Sequence, residues 1–382
     1  MAETIRDHVE LEIHSPKRFS IDQIDESLPK CTTRFFGSRL KRKENTWVIS
    51  LFVMINLVVF VSTMIVNDCP RNSKGDCVLA AIGRVSFQPL SENPFLGPSS
   101  STLDKLGALQ RKLLIQQHQM WRLFTSPWLH AGIINLVINL SSVIFVGVHL
   151  EQEFGSWRIG LVYILSAFVG SLTAALFIKN NPAVTSSGAL FGLLGAMLSA
   201  LIRNWKVYSD KPSALVTLFF LVMVNFSVGF LPHVDNFSNM GGFVSGILLG
   251  LVLFFTPQLG EVPEHKRGLF EYNRKSSIEF KLKLDKPVTR SISLVLFFFV
   301  LAGGLTAVLH GVNANNYCSW CHHIDCVTSK RWTCNDKEIS CQVTVSAGRL
   351  TVTCKRNDKY RMYPYADISK ARIGDLCSQI CS

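Results

Sequence analysis

The stretch "VDNFSNMGGFVSGILLG", Val234 to Gly250, decides how the rest of the chain is read. It is apolar and glycine-rich, with Gly242, Gly246 and Gly250 at every fourth position. Small residues at that spacing share one helix face and let its backbone come close to a neighbour, as helices do in membranes. Asn239 stands at the entrance of the run, two residues before the Gly241-Gly242 pair. A carboxamide at the mouth of so close a crossing needs a reason.

The same apolar character recurs along all 382 residues, 48% of which are hydrophobic. Seven blocks of about membrane length contain no Asp, Glu, Lys or Arg: Trp47–Val66, Gly132–Val148, Ile159–Ile178, Ala183–Ile202, Pro212–Leu231, Phe237–Phe255 and Ser291–Leu309. A soluble helical core would show amphipathic stripes instead of apolarity all round. The expected fold class is therefore an all-α polytopic membrane protein.

Charge sets the expected orientation. The first 46 residues carry nine Lys+Arg, which makes the first span its own signal anchor and leaves no cleavable signal peptide. Arg203, Lys206 and Lys211 follow the fourth span, and eight Lys/Arg lie between Lys266 and Arg290. The loops after the third and fifth spans hold only Lys179 and none. The positive-inside rule then puts the N-terminus in the cytosol and, after seven crossings, the C-terminus in a lumen. The formal charge of +12 follows from topology and lipid headgroups and implies no nucleic acid.

Cysteines agree with this placement. Of 11, Cys69 and Cys77 fall in the first long loop, and Cys318, Cys321, Cys326, Cys334, Cys341, Cys354, Cys377 and Cys381 in the tail, leaving Cys31 on the cytosolic side. An even, dense set reads as a disulfide framework, although eight cysteines allow 105 connectivities. The alternative is a zinc site built from "CSWCHH", which would need a cytosolic tail. The expected organisation is a flexible cytosolic tail (1–46), a six-helix core (47–256) with a long lumenal loop (67–127), a basic cytosolic loop (257–290), a seventh span (291–310) and a small lumenal module (311–382). Within the long loop, "STLDKLGALQRKLL" puts Leu103, Leu106, Leu109 and Leu113 on one face, which predicts a helix lying on the membrane surface. In the tail, "SCQVTVSAGRLTVTCK" alternates as strands do.

With no charges in the spans, buried polar groups carry the information. The second span opens on "WLHAGIINLVINLSS", with His130, Asn135 and Asn139; the fourth opens on "NPAVTSSGALFGLLGA", with Ser186 and Ser187 ahead of Gly188 and Gly192. All of these, and Asn239, belong at the same end of their helices. Glycines on the fourth and sixth spans would let those two pack almost in contact and bring Ser187 and Asn239 face to face. Taken singly, each polar residue suits an ordinary helix cross-link.

Together they resemble the rhomboid family of intramembrane serine proteases, across all seven spans. "HQMWRLFTSPWLHAG" from His118 is similar to the family's first-loop Trp-Arg and Leu-His-Ala-Gly run, and "SSGALFGLLGA" to its Gly-x-Ser-Gly-Ala nucleophile motif. The opening stretch resembles its Asp-Asn-Phe-x-His-x-Gly-Gly motif, and "NYCSWCHHIDCVTSKRWTCN" looks like the cysteine-rich C-terminus of plant-type members. The resemblance implies a six-helix rhomboid core with a seventh helix and a Cys-rich lumenal tail. It implies Ser187 as nucleophile and Asn139 as an oxyanion-hole residue. The remaining positions depart from it: Asn239 stands where the base histidine belongs, Asn135 where an oxyanion histidine belongs, and Thr185 where the family has glycine.

A serine hydroxyl needs a neighbour to take its proton, and a carboxamide is far too weak a base. The leading expectation is an inactive rhomboid-like protein that binds transmembrane helices of client proteins and governs their folding, traffic or turnover, with no cofactor and no metal. Asn239 would then hydrogen-bond Ser187 and preserve the shape without the reaction. The alternative is a working intramembrane endopeptidase with an atypical base, for which His130, His233 and His310 are the candidates. A channel is disfavoured, since no ionisable residue lines a path. By resemblance the protein belongs to the secretory pathway, with the Golgi favoured.

Overall fold

The computed structural model describes residues 46–72, 77–90, 92–178, 181–203, 205, 211–254, 287–318, 320–321, 324, 341–346, 349–354, 359–364, 376–377 and 380. The expected N-terminal tail, save Thr46, and the basic loop as far as Lys286 lie outside them. Seven main helices follow in order: α1 Trp47–Asn67, α2 Ile133–Phe154, α3 Ser156–Phe177, α4 Ser187–Arg203, α5 Lys211–Val228, α6 Asn236–Leu253 and α7 Pro287–Leu309. All but α4 are long and apolar enough to cross a membrane.

The fourth block supplies a shorter helix than its composition suggests. Ala183 and Val184 are extended, pairing with Leu109 and Val234, and the helix starts only at Ser187. Its 17 residues rise about 25 Å, less than the roughly 30 Å of a bilayer's hydrocarbon core. Length matters little, because α4 lies among the other helices, packed against α6, α3, α2 and α5. Every residue from Ser187 to Met197 is buried. By contrast α1 exposes Leu51, Met54, Val58 and Val61, α5 exposes Val216, Phe219 and Phe220, and α7 exposes Val295, Phe298 and Phe299. Bare apolar faces of this kind suit lipid tails.

α2 runs two turns beyond its apolar block and carries Glu151 inward. Both carboxylate oxygens accept from the first amides of α1, Val48 N and Ile49 N, each at 3.0 Å. Helix N-termini leave such donors unpaired and favour negative charge, so a buried carboxylate is at home there.

The long loop does not form the expected surface helix. Its helix Ser100–Leu106 stops at Gly107, whose φ of 105° is left-handed, and an added Cβ there would overlap Thr125 and meet Trp121. Leu109 then pairs with Ala183, and Leu103 and Leu109 are wholly buried in protein instead of facing lipid. Arg122 holds this loop from within, donating to the carbonyls of Asp104 and Ala108 and to Gln119.

Past α7, a three-stranded antiparallel sheet is ordered β1-β2-β3: β1 Cys341–Ser346, β2 Arg349–Cys354 and β3 Tyr360–Pro364. The first two strands are the alternating segment seen in the sequence. Disulfides join Cys69 to Cys77, Cys318 to Cys321 and Cys341 to Cys377. The two cysteines that the zinc alternative requires are thus bonded to each other.

Candidate functional site

Glycine sets how closely α4 and α6 approach. A Cβ added at Gly242 would overlap the carbonyl oxygen of Gly188, and one at Gly246 that of Gly192. On α4, a Cβ at Gly188 would stand 2.6 Å from Ser238 Oγ, and one at Gly195 would overlap the Phe243 carbonyl. Neither side leaves room for a larger residue.

The segments entering these helices are tied together as well. Val184 N donates to His233 O at 2.8 Å, Asp235 caps α6 by accepting from Ser238 N, and Ser238 Oγ donates to Thr185 O at 3.2 Å. Ser187, at the start of α4, and Asn239, in the first turn of α6, therefore stand at the same end of a tight crossing. Both are buried, as are Asn135 and Asn139, one turn apart on α2.

The expected hydrogen bond from Asn239 to Ser187 is not made. Asn236, one turn earlier, captures the amide instead: Asn239 Nδ2 donates to Asn236 Oδ1 at 2.8 Å. Of the buried oxygens left without a protein partner, three belong to this set, Ser187 Oγ, Asn135 Oδ1 and Asn239 Oδ1; both ring nitrogens of His130 are also without one. Buried polar atoms are seldom left so, which makes these three candidates for hydrogen bonds from a bound group.

Thr185 serves a purpose its position did not announce. Its hydroxyl meets Ser126 Oγ and Ser171 Oγ, each at 2.8 Å, and those two lie 3.4 Å apart. This closed ring of hydroxyls fastens the segment before Ser187 to α3 and to the end of the first loop.

None of the alternative bases hydrogen-bonds Ser187, whose hydroxyl has no partner in the protein. Burial, opposed by the Trp128 carbonyl, pushes the His130 imidazole down to about 4. His233, also lowered by burial, faces Ser100 Oγ and Pro182 O, and His310 is exposed beyond α7. Sequence reasoning overlooked Asn236, Ser126 and Ser171. For Asn236 a signal existed, since it precedes Asn239 by three residues and so shares its face. Ser126 and Ser171 gave none.

Fold and polar cluster together define a polytopic helical membrane protein whose buried hydrogen-bonding groups gather at one end of a glycine-lined crossing. Residues 117–255 match the Rhomboid domain family model. The chain is 49% identical over 339 residues to Inactive RHOMBOID-like protein 8 of Arabidopsis thaliana, covering 86% of this chain and 97% of that protein. It is 44% identical over 337 residues to RHOMBOID-like protein 1 of the same plant, with 88% and 85% covered. Inactive rhomboid protein 1 of Bos taurus is 27% identical over 225 residues, 59% of this chain and 24% of that protein. The chain belongs to the rhomboid family.

Proposed function

We propose that this protein is a catalytically inactive rhomboid-like protein that binds transmembrane helices of client proteins and affects their traffic or turnover. What carries this reading is Asn239, which the resemblance of its motif sets at the position of the family's base histidine. Imidazole takes a serine proton because its pKa lies near working pH. An amide oxygen accepts a hydrogen bond but not a proton, and the Asn239 nitrogen is already committed to Asn236. Asn135 in place of the oxyanion histidine and Thr185 in place of glycine point the same way, and a curated relative covering most of this chain bears the word inactive in its name. The unpartnered oxygens of Ser187, Asn135 and Asn239 offer a client hydrogen bonds in a medium without water to compete.

The lipid-facing α1, α5 and α7 support membrane lipids as neighbours, and the disulfides support an oxidising compartment. Within this reading the N-terminus is cytosolic, the tail lumenal and the Golgi the place of residence. The test is co-expression with a generic rhomboid substrate, alongside labelling by a serine-directed fluorophosphonate. The native protein should neither cut nor label. Asn239→His alone should yield at most a trace, because one missing oxyanion donor costs about 10²–10³ in rate. Cleavage by the native protein that Ser187→Ala abolishes would establish an active endopeptidase instead.

A further inference from the structure

The Asn236 amide that holds Asn239 is held in turn from outside the helix bundle. Its Nδ2 donates to the carbonyl of Ile324 at 2.8 Å, a residue fifteen places beyond the end of α7. On its other flank, a Cβ added at Gly229 would overlap the same amide, so the α5–α6 turn closes against it. Asn236 and Asn239 are both completely buried.

Two more contacts fasten the stretch that leads to Ile324. Arg111 Nη2 donates to Gly311 O at 2.8 Å, and Asn315 Nδ2 donates to Phe177 O, the last residue of α3, at 2.6 Å. Between Asn315 and Ile324 the Cys318–Cys321 disulfide closes the chain on itself, and Cys321 is buried. The path thus runs from the first loop past the last residue of α3 to the start of α6, two ends that the stacked rings of Phe177 and Phe237 join at 3.9 Å.

We infer that Gly311, Asn315, the Cys318–Cys321 pair and Ile324 form a strap that shuts the Asn236–Asn239 end of the candidate site, and that its release gives a client access. All three anchors are neutral or singly charged side chains donating to backbone carbonyls, so losing one removes a single hydrogen bond. Asn236 is the positioning residue, holding the strap with one end of its amide and orienting Asn239 with the other. Client access rests on the function proposed above; the strap itself does not.

The test uses the full chain in lipid nanodiscs, without reductant, carrying Asn239→Cys as reporter and a charged methanethiosulfonate as probe. Parallel samples carry Ser166→Cys, a wholly buried position inside α3, as control. Adding Asn315→Ala removes one anchor and should raise labelling at position 239 about fivefold, the shift expected from one neutral hydrogen bond. Cys318→Ala with Cys321→Ala should do the same, and position 166 should not respond. No rise with either variant overturns the strap, as does an equal rise at position 166, which reports general loosening. Fast labelling before any anchor is removed overturns it too. A rise confined to position 239, with no added crosslinking to a generic single-span rhomboid substrate reconstituted in the same nanodisc, would keep the strap and refute the client reading.

Discussion

Thr185 carries the sharpest lesson at the scale of single residues. The resemblance sets it where the family has glycine, and in this fold its hydroxyl is spent on Ser126 and Ser171. Restoring glycine therefore removes two buried hydrogen bonds and adds backbone freedom, at a combined cost of about 2 kcal/mol. Thr185→Gly should lower the melting temperature clearly, whereas Thr185→Ser, which keeps the hydroxyl, should cost less than about 1 kcal/mol; equal melting of all three proteins would dissolve the ring as a structural device. No pattern in the sequence announces it, because the three residues come from separate segments and each is a common small polar type. Asn236 and Asn239 share one motif and one helix face, yet nothing in that spacing says that their amides bond to each other. Asp104 yields a prediction of another kind. Burial, partly offset by Arg122, raises its carboxyl to about 6 from an ordinary 3.8. Between about pH 4 and 6 the folded protein holds a proton that the unfolded chain has released, so this site stabilises the fold as pH falls through that window. The penalty is complete above about pH 6 and absent below about pH 4. Asp104→Asn should thus raise stability near pH 7.5 by about 1 kcal/mol, after discounting for partial exposure, and change little near pH 4. Thermal melts at the two pH values decide it.

Among the elements, the spans were the most legible, since a helix in lipid must be uncharged for about twenty residues and little else in a sequence looks like that. The ends were less so. α2 outruns its apolar block because Glu151 is buried against the α1 amides, a use for a carboxylate that hydropathy reads as a terminus. α4 starts late because Ala183 and Val184, though apolar, are held extended by Leu109 and Val234. The loop helix ends at Gly107, a stop that was visible in "LGA" but was overridden by the leucine spacing on either side. The glycine stripe was read correctly as a close crossing, and it separates two classes of glycine. Gly246→Ala should destabilise by about 1–3 kcal/mol or more, since the added methyl overlaps a backbone carbonyl that cannot step aside. Gly303→Ala on α7 meets nothing within 4 Å and should be neutral or mildly stabilising. If thermal melting ranks the two the other way, α4 and α6 do not meet along that stripe.

At the scale of the whole molecule, the orientation proposed above places the tail in a lumen, which one added sequon tests. An Asn-Gly-Thr appended after Ser382 should give a glycosidase-sensitive mass shift in the full chain. Absence of the shift in an inserted protein would reverse the orientation and require another explanation for the disulfides. What loop charge did not reveal is which helices meet lipid and which do not, because α4 is as apolar as its neighbours; only packing distinguishes them. That distinction has a consequence for how the protein senses its surroundings. α1, α5 and α7 carry exposed apolar faces, and a change of bilayer thickness acts on such helices at a cost of fractions of a kcal/mol per ångström of mismatch. α4 is solvated by protein from Ser187 to Met197, so its depth is fixed by its neighbours' side chains and not by the acyl chains outside. A change of membrane thickness therefore acts first on the outer helices, while the level of Ser187 is set by the helices packed around α4.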